Sequence, residues 1–126
     1  MKKKVAINGF GRIGRLVYRA FLERLNEFSN QYEISYINDL ADIDSNIHLL
    51  KYDSIHGPLN KEINKISNEQ FSIGKNTVTV TSERNPIDLK WKDKNVDIIL
   101  ECTGVFASKE KAMSHIESGA SKVIVS

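Results

Sequence analysis

Apolar positions along this chain change period several times, and each change marks an element. Val5-Ala6-Ile7 is a short apolar strand that runs into Gly9, and helical spacing follows at once. Ile13, Val17, Ala20, Phe21, Leu25 and Phe28 predict a helix from about Gly11 to Phe28. Glu33-Ile-Ser-Tyr-Ile-Asn-Asp39 reads as a second strand, with Ile34, Tyr36 and Ile37 apolar. Asp42 or Asp44 is placed to cap a short helix, Ser45 to Lys51. A polar section rich in Asn and Lys then runs from Tyr52 to about Asn76, and within it Ile63, Ile66, Phe71 and Ile73 are spaced as in short antiparallel strands. Thr77-Val-Thr-Val-Thr81 is a clearer strand, and Pro86 to Trp91 predicts a loop or single turn anchored by Trp91. Asp97-Ile-Ile-Leu-Glu-Cys102 is a continuous apolar run, the pattern of a parallel strand buried on both faces. Ser108 to Ser118 predicts a helix stopped at Gly119, and Lys122-Val-Ile-Val-Ser126 predicts another buried strand.

Strands alternating with helices predict an α/β fold, and the first connection specifies which. Gly9-x-Gly11-x-x-Gly14 sits between the first strand and the first helix. At these positions Gly9 serves a tight strand-to-helix turn, Gly11 lets a diphosphate approach the main chain, and Gly14 lets the helix pack close to the strand. The N–H groups and positive dipole end of the new helix then face the diphosphate. Such a turn carries weight when an acid closes the second strand, and Asp39 does so next to Asn38, at a spacing slightly longer than the usual ~20 residues. Asp39 is expected to accept hydrogen bonds from the adenosine ribose and to repel the 2′-phosphate of NADP, which predicts NAD as the cofactor; the competing reading is an acid that caps a helix or turn. The predicted architecture is a Rossmann-type doubly wound, mostly parallel sheet with helices on both faces and a small antiparallel insertion, forming one NAD-binding domain over residues 1–126.

Composition narrows the function classes. The chain has 40% hydrophobic and 27% charged residues, ordinary for a globular protein, and a net charge of +2. That charge argues for neither a nucleic-acid nor a membrane partner. Lys2-Lys3-Lys4 is the only basic cluster and reads as a solvated N-terminus. No apolar run reaches the ~18 residues of a membrane span, and no signal-peptide core is present. The single cysteine, Cys102, excludes an internal disulfide and suits a reducing cytoplasm. It reads as an inert core thiol at the end of a buried strand rather than as a nucleophile. His48, His56 and His115 lack metal-ligand spacing, so no metal site is expected.

Six stretches, in order, resemble the N-terminal NAD-binding portion of phosphorylating glyceraldehyde-3-phosphate dehydrogenases. They are Ile7-Asn-Gly-Phe-Gly-Arg-Ile-Gly-Arg15, Ile37-Asn-Asp39, His48-Leu-Leu-Lys-Tyr-Asp-Ser-Ile-His-Gly57, Ser82-Glu-Arg-Asn-Pro86, Glu101-Cys-Thr-Gly-Val-Phe106 and Lys122-Val-Ile-Val-Ser126. The resemblance implies that the backbone of Arg12 and Ile13 meets the diphosphate, that Asp39 is the ribose acid, and that Arg84 lies near the adenosine. It implies that Thr103 and Gly104 sit beside the cofactor, with Phe106 as an apolar wall and Ser126 near the nicotinamide. His56 is expected in a structural turn near a neighbouring subunit. The full-length protein is expected to be a cytoplasmic homotetramer acting on a small-molecule substrate in glycolysis. The family's catalytic cysteine, in a Ser-Cys-Thr-Thr-Asn-Cys stretch, falls beyond position 126, as do its activating histidine and substrate-phosphate groups. The 126 residues are therefore expected to be an incomplete piece that holds cofactor and has no catalytic residue of its own. Erythrose-4-phosphate dehydrogenases share most of these stretches, and a standalone NAD-binding module is the further alternative.

Overall fold

The computed structural model describes residues 2–24, 31–53, 57–58, 61–74, 76–104 and 109–125. Strand β1 (Lys3–Asn8) leads into helix α1 (Arg12–Glu23), followed by β2 (Tyr32–Asn38) and helix α2 (Ile43–Lys51). The two-residue strands β3 (Tyr52–Asp53) and β4 (Gly57–Pro58) come next, then β5 (Ile63–Lys65), β6 (Gln70–Ile73) and β7 (Asn76–Thr81). A 3-10 turn (Pro86–Leu89), a short helix α3 (Trp91–Lys94), β8 (Ile98–Glu101), helix α4 (Lys109–Glu117) and β9 (Lys122–Val125) complete the described chain.

The main sheet has the order β5-β6-β7-β2-β1-β8-β9. Strands β7, β2, β1, β8 and β9 run parallel, whereas β5, β6 and β7 pair antiparallel. The insertion expected from Ile63, Phe71 and Ile73 is thus the antiparallel flank of the sheet, and Ile66 beside it is exposed. Strand β1 lies at the centre of the five parallel strands; the chain crosses to β2 on one side and, later, to β8 on the other. That reversal creates a crevice at the carboxyl ends of the strands, where open α/β sheets bind ligands.

Alternation along the strands, interrupted in β2 by a register shift between Ile34 and Tyr36, divides the core between two layers. On one face Val5, Ile7, Ile34 and Ile37 of the sheet pack against Phe10, Tyr18 and Leu22 and against Ile43, Ile47 and Leu50 of α2. On the other, Ala6 and Ile99 pack against Leu89, Trp91, Val96 and Ala120. Asp42 caps α2, accepting from the Ser45 N–H at 2.7 Å, and its hydrogen bonds with Ser45 hold its carboxyl below the usual range. At the other end of α2, the buried Arg19 guanidinium donates to the Leu50 carbonyl at 2.7 and 3.2 Å and to that of Lys51 at 3.1 Å. A cation at the carbonyl end of a helix is favourable.

Three expectations need correction. The buried stripe of α1 is Gly14, Tyr18 and Leu22 with Arg19, not the line through Ile13, Val17, Ala20 and Phe21. The reason is steric: a Cβ on Gly14 would stand 2.2 Å from the Gly9 carbonyl oxygen, so the helix can approach β1 only along its glycine-bearing line. Ile13 is consequently exposed, and Val17 and Phe21 are half-buried. Leu25 and Phe28 lie outside the described residues. Secondly, β9 is an edge strand with exposed Ile124 and Val125, because β8 is its sole partner among the described residues. Thirdly, Cys102 is half-buried rather than fully buried: it lies one residue beyond the end of β8 and packs against the margin of the core.

Candidate functional site

A cleft of about 450 Å³ opens at the carboxyl ends of β1, β2 and β8, bounded by Gly9 and Gly11, by Asp39 and Leu40, and by Arg84 and Thr103. A larger hollow of about 570 Å³ involves Lys2, Tyr32, Glu33 and Gly74, at the amino ends of the strands. The physics of parallel sheets selects the first, because helix N-termini and strand-end loops converge there.

The glycine turn shapes one wall. Gly9 has φ +92°, and a Cβ there would lie 2.6 Å from Thr103 Cγ2 and 2.8 Å from Thr103 N. Only a residue without a Cβ lets the turn nest against the loop after β8. Gly11 is the opposite case: a Cβ would meet no protein atom within 4 Å, so the main chain there faces open cleft. Gly11 is also the N-cap of α1, and no side chain caps this end of the helix. The first turn carries no acid; instead Arg12 and Arg15 stand at the positive end of the dipole. Two cations at a helix N-terminus are unfavourable alone and become favourable when an anion docks between them and the N–H groups. Arg15 is held by a bond from Nη1 to the Phe10 carbonyl at 3.1 Å, and Arg12 is exposed. The diphosphate of a dinucleotide fits this open, uncapped main chain.

Asp39 ties the second strand to the turn. Its Oδ1 accepts from the Phe10 N–H at 2.9 Å and its Oδ2 from the Ala41 N–H at 3.0 Å. Each carboxylate oxygen has a further lone pair, and the group is only half-buried, so it retains capacity for two hydroxyls. Asn38 does not. Its amide donates to Asn8 Oδ1 at 2.7 Å and to the Glu83 carbonyl at 2.8 Å, and accepts from Thr81 Oγ1 at 2.7 Å and the Glu83 N–H at 2.9 Å. Two donors and two acceptor sites are all an amide possesses. The contribution of Asn38 is therefore to fasten the segment that carries the exposed Arg84.

At the end of β8, Thr103 is half-buried and Gly104, at φ +77°, is exposed. Phe106 and Ser126 lie outside the described residues, as does His56. Beneath this corner is a cluster that sequence patterns did not reveal. Glu101, fully buried, accepts from Asn8 Nδ2 at 2.6 Å and lies 2.8 Å from His115 Nε2, while its other oxygen accepts from the Thr103 N–H at 2.9 Å and the Thr103 hydroxyl at 2.7 Å. Burial pushes the Glu101 carboxyl up, but the bonds from His115, Thr103 and Asn8 together outweigh it and hold the group below the usual glutamate range. His115 is buried as well, and its Nδ1 receives the Trp91 indole N–H at 3.0 Å. An acid inside the apolar run Ile98-Ile-Leu-Glu101 was the available signal; Asn8 and His115 offered none. Cys102 and Leu40 also line the cleft. No group of His, Cys, Asp or Glu suited to a metal occurs among the described residues.

Comparison with known proteins gives a consistent picture. The family model described as the NAD binding domain of glyceraldehyde 3-phosphate dehydrogenase matches residues 3–109. The chain is 45% identical over its whole length to a glyceraldehyde-3-phosphate dehydrogenase of Xanthobacter flavus, covering 36% of that protein. It is 48% identical over 98% of its length to the Mycoplasma pneumoniae protein of the same name and 48% over 97% to that of Thermotoga maritima, covering 35% of each. The chain thus spans about a third of the length of these curated relatives.

Proposed function

We propose, on the premise that this chain belongs to the glyceraldehyde 3-phosphate dehydrogenase family as its NAD-binding domain, that the full-length protein oxidises glyceraldehyde 3-phosphate with NAD and inorganic phosphate to 1,3-bisphosphoglycerate. The observation that carries the cofactor's placement is the open main chain at Gly11, at an uncapped helix start tethered through Phe10 to Asp39. In this reading Asp39 takes the adenosine ribose hydroxyls, the backbone of Arg12 and Ile13 meets the diphosphate, and Arg84 flanks the adenosine. A cofactor running from the β2 end across the turn passes beside Thr103 and Gly104 at the end of β8. By the family resemblance, Phe106 is an apolar wall of the site and Ser126 lies near the nicotinamide.

Bound NAD supplies a hydride acceptor. This chain's residues hold and orient it, and Asn38 acts by positioning the Arg84 segment. The attacking thiol is assigned, by resemblance, to a segment outside these 126 residues, and Cys102 has no part in it. We place the enzyme in the cytoplasm, in glycolysis, as a homotetramer with a small-molecule substrate and neither nucleic-acid nor membrane partners. No helix among the described residues is long and apolar enough to cross a membrane.

The test is titration of NAD and NADP against the full-length protein and its Asp39→Ser variant. Losing a carboxylate partner of the ribose, ~1.5–3 kcal/mol, weakens NAD by about tenfold or more. Loosening the Phe10 tether affects both cofactors alike, so the NAD/NADP ratio isolates the ribose contact. The ratio is expected to narrow; an unchanged ratio removes Asp39 from that role, and a wild type that binds no NAD overturns the function.

A further inference from the structure

Four neighbouring strands end in polar residues: Asn8 closes β1, Asn38 β2, Thr81 β7 and Glu101 β8. Sheet register sets them side by side, Glu101 opposite Asn8, Asn8 opposite Asn38, and Asn38 opposite Thr81. Their side chains bond along that row. Asn8 Nδ2 donates to Glu101 Oε1 at 2.6 Å, Asn38 Nδ2 to Asn8 Oδ1 at 2.7 Å, and the Thr81 hydroxyl to Asn38 Oδ1 at 2.7 Å. The Asn8 nitrogen also stands 3.4 Å from His115 Nε2. Asn8, Asn38 and Glu101 are all buried. Asparagine is a poor strand former, and apolar side chains would fill such positions without desolvating an amide.

The sense of these bonds is set from both ends. Glu101 is held below the usual glutamate range and is ionised at neutral pH. A carboxylate only accepts, so Asn8 turns its NH₂ to Glu101 and its oxygen to Asn38. From the other side the Glu83 N–H donates to Asn38 Oδ1 at 2.9 Å and the Glu83 carbonyl accepts from Nδ2 at 2.8 Å, which turns the Asn38 NH₂ toward Asn8. The two settings agree. A flipped Asn8 would set its oxygen against the Glu101 carboxylate and its NH₂ against that of Asn38. Among the described residues no other hydrogen bond reaches the main chain of Glu83 or Arg84, so Asn38 is the fastening of this wall of the cleft.

We propose that Asn8 is a positioning residue for the adenosine side of the cleft, acting through Asn38 on the main chain of Glu83 and on Arg84 beside it. The proposal rests on the NAD reading above, in which Arg84 flanks the adenosine. Without the Asn8 oxygen, the Asn38 NH₂ loses one of its two acceptors in a buried place, and its paired bonds to Glu83 lose their fixed orientation. The cofactor must then order residues 83–84 itself, and that ordering subtracts from its affinity.

The experiment is a double-mutant cycle on the full-length protein, read by calorimetric titration with NAD. Asn8→Ala and Arg84→Ala are each expected to weaken NAD by about tenfold. If Asn8 acts by placing Arg84, the double variant falls within about twofold of either single variant, because an Arg84 that is no longer placed has little left to lose. Losses that multiply to about a hundredfold show that Asn8 works independently of Arg84, as a merely structural residue would, and overturn the proposal. Unchanged NAD binding in either single variant overturns it as well. A wild type that binds no NAD condemns the NAD reading instead. Thr81→Val serves if Asn8→Ala fails to fold, since it keeps the shape of a half-buried side chain and removes only the donor to Asn38 at the far end of the row. It is expected to weaken NAD by about fivefold in the wild-type background and not at all in Arg84→Ala, and Thr81→Ser, which keeps the hydroxyl, restores the affinity. A Thr81→Ser protein as weak as Thr81→Val, or an equal Thr81→Val loss in both backgrounds, refutes the row as the route to Arg84.

Discussion

Gly11 and Gly14 stand three residues apart on one turn, yet alanine at each should fail for different reasons. At Gly14 the added Cβ would lie 2.2 Å from the Gly9 carbonyl oxygen and 3.2 Å from Ile7 Cγ2. Both neighbours belong to the central strand and its turn, so α1 must move outward, by roughly 1 Å to restore contact distance. Overpacking of this kind costs ~1–3 kcal/mol. Alanine also improves the helix by ~0.8–1 kcal/mol over glycine, which offsets part of that. A 2.2 Å approach to a backbone atom puts the overpacking cost in the upper part of its range, so the expected net loss is about 1–2 kcal/mol, a melting decrease of several degrees at ~2–4 °C per kcal/mol. At Gly11, where φ is −75° and the backbone extended, alanine fits without strain and meets no protein atom. The weaker N-cap and the reduced freedom of the unfolded chain nearly cancel, so stability should stay within ~0.5 kcal/mol. Here the methyl projects into the space that the proposed reading gives to the diphosphate, and NAD affinity should fall by at least about tenfold, ~1.4 kcal/mol. Thermal melts without cofactor and calorimetric titration with NAD, both on the full-length protein, separate the two effects. A Gly11→Ala protein that binds NAD like wild type, or a Gly14→Ala protein that melts like wild type, would refute this account of the turn.

Other perturbations test the framework around the cleft. Arg19→Met removes every bond from that guanidinium to the Leu50 and Lys51 carbonyls and should destabilise the protein by about 2–3 kcal/mol; a denaturant midpoint equal to wild type would show that α2 ends are satisfied without it. Glu101 titrates below the usual glutamate range when folded, so on acidification the unfolded state binds the proton first. Its contribution is therefore complete at neutral pH and is lost as pH falls from about 4.3 downward, and Glu101→Gln should flatten that part of the acid limb. Parallel acid limbs for the two proteins, followed by urea unfolding between neutral and acidic pH, would remove Glu101 as a source of that dependence.

Local constraints made a large part of this architecture legible in the sequence. A glycine at φ +92° between an apolar strand and a helix has few residue alternatives, so the turn at Gly9 announces itself. Strand positions follow from short apolar runs, and β1, β2, β7 and β8 lie where Val5-Ala6-Ile7, Ile34 to Ile37, Thr77 to Thr81 and Ile98 to Leu100 predict them. The acid at the end of β2 is legible for the same reason: its place relative to the turn is set by one strand and one helix, not by the whole fold. The antiparallel insertion also followed from spacing, through Ile63, Phe71 and Ile73.

Tertiary structure decided which of several apolar lines on α1 is buried, because the choice depends on how closely Gly14 approaches the Gly9 carbonyl. It also turned Asn38 from a candidate ligand contact into a saturated brace for the Arg84 segment. Above all it assembled Glu101 with Asn8, 93 positions away, and with His115 and Trp91. Hydrophobic periodicity is a property of neighbours along one element and survives in the sequence. Hydrogen-bond complementarity joins single polar residues from different elements and has no period, so it comes into being only when the strands and helices are packed together.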